Sequence, residues 1–214
     1  MPTICINNLS FGYESTLVLD KINLDIEASE YIGIVGPNGG GKSTLIKLIL
    51  GILKDKNKGI IIKPNTRFGY IPQKLGISGQ NFPTTVKEIL TNSFDRFDIS
   101  KYSNILKLCK IENLENRLLS ELSGGERQKV FIANSLVSNP DFLILDEPTT
   151  GIDPEYKIKF WELLKELNEK NKIGIIVISH DSHEILENTK RLILIDKKIQ
   201  KDTEPKLFGH FHSH

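Results

Sequence analysis

Apolar residues along this chain gather in short runs, and the runs alternate between two periods. The segments 31–35, 142–146, 173–179 and 191–196 are almost continuously apolar and of strand length. That is the pattern of parallel strands covered on both faces. Between them the pattern turns helical: over 155–170, Phe160, Leu163, Leu164 and Leu167 fall at i, i+3, i+4 and i+7. Helices are also expected from about Lys42 to Leu53, over 124–138 and over 182–188. Further strands are expected near 3–7 and 18–26, with a turn around Phe11-Gly12-Tyr13, and at 68–71, ending at Pro72-Gln73. Alternation of this kind implies a parallel α/β core. Residues 75–120 interrupt it. They are more polar and read as helical pieces joined by loops, an inserted lobe.

Composition narrows the classes. The 214 residues can bury a sizeable core, and 39% hydrophobic with 26% charged residues is the balance of a soluble globular protein. A net charge of +1 gives no electrostatic reason to expect nucleic acid or an anionic membrane surface as partner. No apolar run approaches the roughly 20 residues of a membrane helix. The segment Met1-Pro2-Thr3-Ile4-Cys5 lacks a basic stretch followed by an apolar one, so no secretion signal is expected. Cys5 and Cys109 fit no metal-binding spacing and read as reduced thiols of a cytosolic protein.

The candidate chemistry lies in the loops. Gly36-Pro37-Asn38-Gly39-Gly40-Gly41-Lys42-Ser43-Thr44 fits the phosphate-loop pattern G-x-x-x-x-G-K-[S/T] between an apolar strand and a helix. Its glycines let backbone N–H groups turn toward phosphate oxygens, Lys42 can reach the β- and γ-phosphates, and the Ser43 hydroxyl can ligate magnesium. The helix start adds partial positive charge. Phe142-Leu143-Ile144-Leu145-Asp146-Glu147 is an apolar strand ending in two acids. Alone, Asp-Glu-Pro reads as a helix-capping turn. After a phosphate loop, Asp146 suits magnesium held through water, and Glu147 suits polarisation of an attacking water. Ser123 and Glu126 form an S-x-x-E capping box, and a capped helix start flanked by Gly124 and Gly125 is also a natural γ-phosphate site. Gln73 and His180 each follow a strand whose end should open on the crevice of Asp146. They could contact magnesium, the water or the γ-phosphate, although a lone histidine is more often structural. Tyr13 either stacks on a purine ring or packs over the first hairpin.

With these residues together, the chain resembles the nucleotide-binding subunit of ATP-binding cassette (ABC) transporters, over nearly its whole length. The resemblance implies an A-loop aromatic at Tyr13, Walker A at 36–44, a Q-loop at Gln73 and the signature Leu122-Ser123-Gly124-Gly125-Glu126. It further implies Walker B at 142–146, a catalytic Glu147, a D-loop around Gly151-Ile152-Asp153 and a switch histidine at His180. The implied fold is a P-loop NTPase, a RecA-like α/β core with an antiparallel β subdomain. An inserted helical subdomain at about 75–120 completes a single domain over 1–214. The implied cofactors are ATP and Mg2+. The implied assembly is a head-to-tail dimer with ATP between Walker A of one subunit and the signature of the other, on the inner face of the cell membrane beside transmembrane permease subunits. A substrate-binding protein would belong to the same system.

Gly40, where many relatives carry alanine, and Phe82-Pro83-Thr84-Thr85-Val86 after Gln73 are similar to ATPases of zinc and manganese importers. The 82–86 segment lies where a permease docks in that family. The alternatives are a cassette of another importer or exporter, or a soluble ABC ATPase outside transport. A kinase-type phosphate-loop enzyme is argued against by the signature. The run after residue 201 carries no extra regulatory domain, and a flexible tail is expected over 202–214. Within it His210, His212 and His214 could bind a divalent metal, with a mobile terminus as the plainer reading.

Overall fold

Apolar runs with no polar face can be accommodated only where both faces of a sheet are covered. The computed structural model, which describes residues 2–14, 16–55, 57–73 and 83–208, shows how that is done. In chain order the strands and helices are β1 (Ile4–Tyr13), β2 (Thr16–Ile26), β3 (Tyr31–Val35), α1 (Lys42–Ile49), β4 (Ile60–Ile62), β5 (Phe68–Ile71), α2 (Val86–Asn92) and α3 (Ile99–Cys109). They continue with α4 (Gly124–Leu136), β6 (Phe142–Asp146), α5 (Pro154–Glu169), β7 (Gly174–Ile178), α6 (Ser182–Asn188), β8 (Arg191–Asp196), β9 (Lys198–Thr203) and α7 (Pro205–Phe208). The main sheet runs β5-β6-β7-β3-β8-β9, parallel except for β9, which is antiparallel to β8. A second, antiparallel sheet runs β2-β1-β4.

The two-residue period of the strands sorts their side chains between two cores. Leu143, Leu145, Ile175 and Val177 pack with Val130 of α4, Leu164 of α5 and Ile185 of α6. Phe142, Ile144, Ile176 and Ile178 pack on the other face with Leu45 and Ile46 of α1 and with Ile4, Leu19 and Leu24 of the antiparallel sheet. Each such side chain, fully buried, contributes roughly 1.5–3 kcal/mol relative to exposure. The helical lobe joins the first core through Val86, Leu90, Tyr102 and Leu106. Its helices begin where the sequence provides caps. Thr85 and Glu88 form a capping box on α2, and Asp98 accepts from the backbone of Ser100 and Lys101 on α3. Hydrogen bonds from its Thr85 partner hold the Glu88 carboxyl below its ordinary range.

Several boundaries differ from the sequence reading. The turn expected around Phe11-Gly12-Tyr13 is strand: these residues pair with Leu19, Leu17 and Thr16, and the Phe11 and Tyr13 rings meet edge-on. Aromatic strand propensity outweighs the glycine's turn signal there. Helix α1 stops at Ile49 rather than near Leu53, with Leu50 as its C-cap before Gly51. Strands β4 and β9 went unread. The first is three isoleucines among lysines, and the second is a polar outer strand whose only signature is its pairing with β8. Strand β9 and helix α7 also place ordered elements in the segment expected to be flexible from 202. The readings of Phe82, and of His210, His212 and His214, fall outside the described residues.

The approach of α6 to the sheet is set by Gly33. A Cβ there would lie 2.0 Å from Ile185 Cγ2 and 3.1 Å from Thr189 Oγ1. Gly33→Val is therefore expected to force α6 off β3 and to cost about 1–3 kcal/mol, the usual range for overpacking. In thermal denaturation this reads as a midpoint lowered by roughly 2–4 °C per kcal/mol for a chain of this size. An unchanged midpoint would show that α6 is not seated by this contact.

Candidate active site

The loop between β3 and α1 is held in one shape from several sides. Gly36 has φ 147°, and a Cβ on it would lie 1.9 Å from the carbonyl oxygen of Ile195. No side chain fits, so glycine is required for the chain to leave β3 at that angle. The Gly40 N–H donates to the Pro37 carbonyl at 3.1 Å, and the Gly40 carbonyl accepts from the Lys197 N–H at 2.9 Å. Lys197, at φ 58°, uses its own carbonyl to accept from the Asp20 N–H at 2.7 Å. One turn between β8 and β9 thus braces both the loop and strand β2. The brace has no sequence signature, and Lys197 was not singled out from the sequence.

Lys42, the first residue of α1, is 7% exposed. Its Nζ donates to the carbonyls of Gly36 at 2.7 Å and Pro37 at 2.9 Å. Burial lowers its pKa below the ordinary lysine value, and the charges of Glu147 and Asp146 work against that. Asp146, at the end of β6, is 6% exposed. Burial raises its carboxyl above the ordinary range, a hydrogen bond from Ser43 lowers it, and neighbouring Glu147 raises it. The two desolvated charges therefore soften each other.

Glu147 follows in the left-handed region at φ 52°, a conformation costing of order 1–3 kcal/mol for a residue other than glycine. Its N–H donates to the Ile178 carbonyl at 2.9 Å, tying it to the end of β7. Its Oε2 lies 2.6 Å from Nδ1 of His180, whose side chain is otherwise largely exposed.

These groups share a cleft of about 320 Å³ lined by Tyr13, Val18, residues 38–44, Gln73, Asp146 and Glu147. That volume lies in the range of small-molecule sites. Tyr13 is half-exposed at the end of β1. Val18 is a cleft residue with no chemical signature in the sequence. A second cleft, about 220 Å³, shares Gln73, Asp146 and Glu147 with the first and is closed by Gly124, Arg127, Gln128, Pro148, Thr150, Gly151 and Ile152.

Other sequence-selected residues lie apart from the loop. Ser123 caps α4: its hydroxyl accepts from the Glu126 N–H, and Glu126 Oε2 accepts from the Ser123 N–H at 2.9 Å. The Ser123 backbone bond holds the Glu126 carboxyl below its ordinary range against a burial effect, with help from the Ser123 hydroxyl and from Arg117. None of Ser123, Gly125 and Glu126 lines the cleft of the phosphate loop, and Gly124 lines only the second cleft. Asp153 is the N-cap of α5, accepting from the Glu155 N–H at 2.9 Å, and lines neither cleft.

Oxygen donors from Ser43, Gln73 and Asp146 on one cleft are the hard ligand set that suits magnesium. A glycine-rich loop, Lys42 and the start of α1 line the same space, a set that suits a polyphosphate. Of the acid–imidazole pair, Glu147 lines this cleft and His180 reaches it only through Glu147.

Comparison with known proteins agrees with this geometry. The pattern describing ABC transporter domains matches residues 19–150. The chain is similar to the high-affinity zinc uptake system ATP-binding protein ZnuC of Bacillus subtilis (strain 168), 36% identical over 216 residues, covering 92% of each chain. Among solved structures it is similar to cbiO1 from Clostridium perfringens, part of the ABC transporter complex cbiONQ. There the TM-score is 0.88 at 28% identity, covering 98% of this chain and 91% of that one. It is also similar to MJ0796, a bacterial ABC transporter cassette solved as a dimer, with a TM-score of 0.76 at 25% identity over 94% of this chain and 98% of that one.

Proposed function

This chain belongs to the ABC transporter family, and we propose that it is the ATP-hydrolysing subunit of an importer carrying zinc, or a similar divalent cation such as manganese, into the cell. The observation that carries the hydrolase reading is the Glu147 carboxylate lining the cleft that holds the phosphate loop, with Nδ1 of His180 against it. The cargo reading rests on the similarity to a zinc uptake ATP-binding protein over nearly the whole of both chains. A single cassette spans 1–214 in this reading, with the helical subdomain at about 75–120.

In this reading the backbone amides of Asn38, Gly39 and Gly41 bind phosphate oxygens, Gly40 keeps the loop's shape through Pro37 and Lys197, and Lys42 neutralises the β- and γ-phosphates. Thr44 closes the loop at the first turn of α1, Gly36 and Pro37 hold the Lys42 ammonium in place, and Tyr13 supports the purine. Ser43, Gln73 and Asp146 would hold Mg2+, which supplies charge neutralisation across the phosphate oxygens. Glu147 accepts a hydrogen bond from the water that attacks the γ-phosphate and draws its proton. His180 fixes the orientation of that carboxylate through Nδ1 and presents the rest of its ring to the γ-phosphate side. Catalysis is then mainly positioning and charge stabilisation, as phosphoryl transfer requires.

The separation of Ser123, Gly124, Gly125 and Glu126 from the phosphate loop of their own chain supports a second copy completing each site, with Asp153 on the facing surface. The dimeric MJ0796 cassette supports the same arrangement. No helix among the described residues is long and apolar enough to cross a membrane, so transport calls for separate transmembrane permease subunits. The chain then works in the cytoplasm, bound peripherally to the inner face of the membrane. A substrate-binding protein delivers the cation on the other side.

Three outcomes test this. Glu147→Gln should leave ATP binding nearly intact and cut turnover by about 10²–10⁴, the range for losing a general base; hydrolysis near the wild-type rate removes Glu147 from this role. Ser123→Arg should abolish hydrolysis while a single subunit still binds ATP in equilibrium titration, and full activity of that variant would sink the shared-site assembly. Deleting the gene should lower cellular zinc or manganese under limitation. Normal accumulation of both metals, with no redundant importer present, defeats the cargo assignment.

A further inference from the structure

The close contact between Glu147 and His180 joins two loops that leave different strands. Glu147 opens the segment that runs to Asp153, the cap of α5, in a left-handed conformation its surroundings must enforce. His180 lies on the short link between β7 and α6, whose cap Asp181 accepts from the backbone of His183 and Glu184. Backbone bonds inside the 147–153 segment are long: the Thr150 N–H meets the Glu147 carbonyl at 3.4 Å and the Ile152 N–H meets the Thr149 carbonyl at 3.3 Å. The Glu147 N–H bond to the Ile178 carbonyl ties the start of this segment to β7, and the residues beyond it are held to α6 by another route.

One side chain spans them. Glu184, in the first turn of α6, accepts a hydrogen bond from the Thr149 hydroxyl on Oε2 at 2.7 Å. Its Oε1 takes a close ion pair with Nζ of Lys157 on α5. Lys157 in turn donates its N–H to the carbonyl of Asp153 at 3.0 Å. The Glu184 carboxylate therefore grips the segment after Glu147 at Thr149 and the first turn of α5, just beyond that segment, at Lys157. It holds from the helix that begins two residues after His180. The grip is sheltered: Thr149 is 6% exposed and the Glu184 side chain 16%. Hydrogen bonds to a charged, sheltered acceptor are the strong and directional kind.

We propose that Glu184 is a positioning residue for hydrolysis, fixing the Glu147–His180 geometry by clamping Thr149 and Lys157 to α6. The proposal rests on the reading of Glu147 as the group that activates water. It deepens that reading by naming what holds the group in place. An error of about 1 Å in such a group can cost on the order of 100-fold in rate.

The test is steady-state hydrolysis of ATP by the purified full chain carrying single substitutions. Thr149→Val keeps the side-chain shape, deletes the hydroxyl and leaves the Glu184–Lys157 pair intact. It is expected to lower kcat by about 10- to 100-fold with KM for ATP unchanged, the pattern of a defect confined to the transition state. Glu184→Ala should do the same, and Thr149→Ser, which restores the hydroxyl, should restore kcat. A purely structural role would not produce this split between kcat and KM or its rescue by serine. If Glu184→Ala fails to fold, Thr149→Val decides alone. Wild-type kcat in Thr149→Val, a rise in KM at constant kcat, or equal impairment in the serine variant each overturns the proposal. Glu147→Gln measured alongside separates the two claims. An inactive Glu147→Gln with a fully active Thr149→Val defeats the clamp alone, whereas an active Glu147→Gln defeats the reading on which it rests.

Discussion

Burial of the parallel strands on both faces is the constraint on which everything else in this protein depends. A strand with no solvent-facing side can present chemistry only at its ends. Here the C-terminal ends supply it. Strand β3 runs into Gly36 and the phosphate loop, β5 into Gln73, β6 into Asp146 and Glu147, β7 into Ser179 and His180, and β8 into the Lys197 turn that braces the loop. Five separated stretches of sequence meet because five strands lie side by side and point the same way. The cores on the two faces keep those ends in register, so the precision of the site is a property of the whole sheet.

The same burial sets the electrostatics. Lys42 and Asp146 are each almost withdrawn from water, and each has its charged form disfavoured by that withdrawal. Their mutual attraction and the Ser43 hydrogen bond offset part of the effect. An anion beside Lys42 or a cation beside Asp146 favours the charged form of each. Burial, and then the nearby Asp146, also raise the Tyr70 hydroxyl above its ordinary range.

What was legible in the sequence follows from the same physics. Strands β3, β6, β7 and β8 stand out because double burial leaves uninterrupted apolar runs. The phosphate loop stands out because its backbone demands glycine at fixed spacing, and the cap of α4 because Ser123–Glu126 satisfies a helix end locally. Features whose meaning depends on distant partners were not legible. Strand β9 is polar and is a strand only through β8. Lys197 is an ordinary turn lysine until its peptide is seen between Gly40 and Asp20. Glu184 resembles any helix-surface acid until Thr149 and Lys157 are found against it. The turn misread at Phe11-Gly12-Tyr13 shows the reverse case, a local signal overruled by pairing across a hairpin.

The sheet boundaries carry one more implication, for self-association. Any open strand edge is a template on which another chain can add. At one end of the main sheet, β9 carries Lys198 and Asp202 on exposed positions, bound laterally to Asp20 and Arg191. At the other end β5 has only four residues, and β4, an outer strand of the small sheet, has only three. Charged or abbreviated edges discourage strand-to-strand growth. Three of the four sheet edges are therefore poor templates for ribbon-like growth; the fourth, β2, runs for 11 residues and is tied to the β8–β9 turn, where the Asp20 N–H donates to the Lys197 carbonyl.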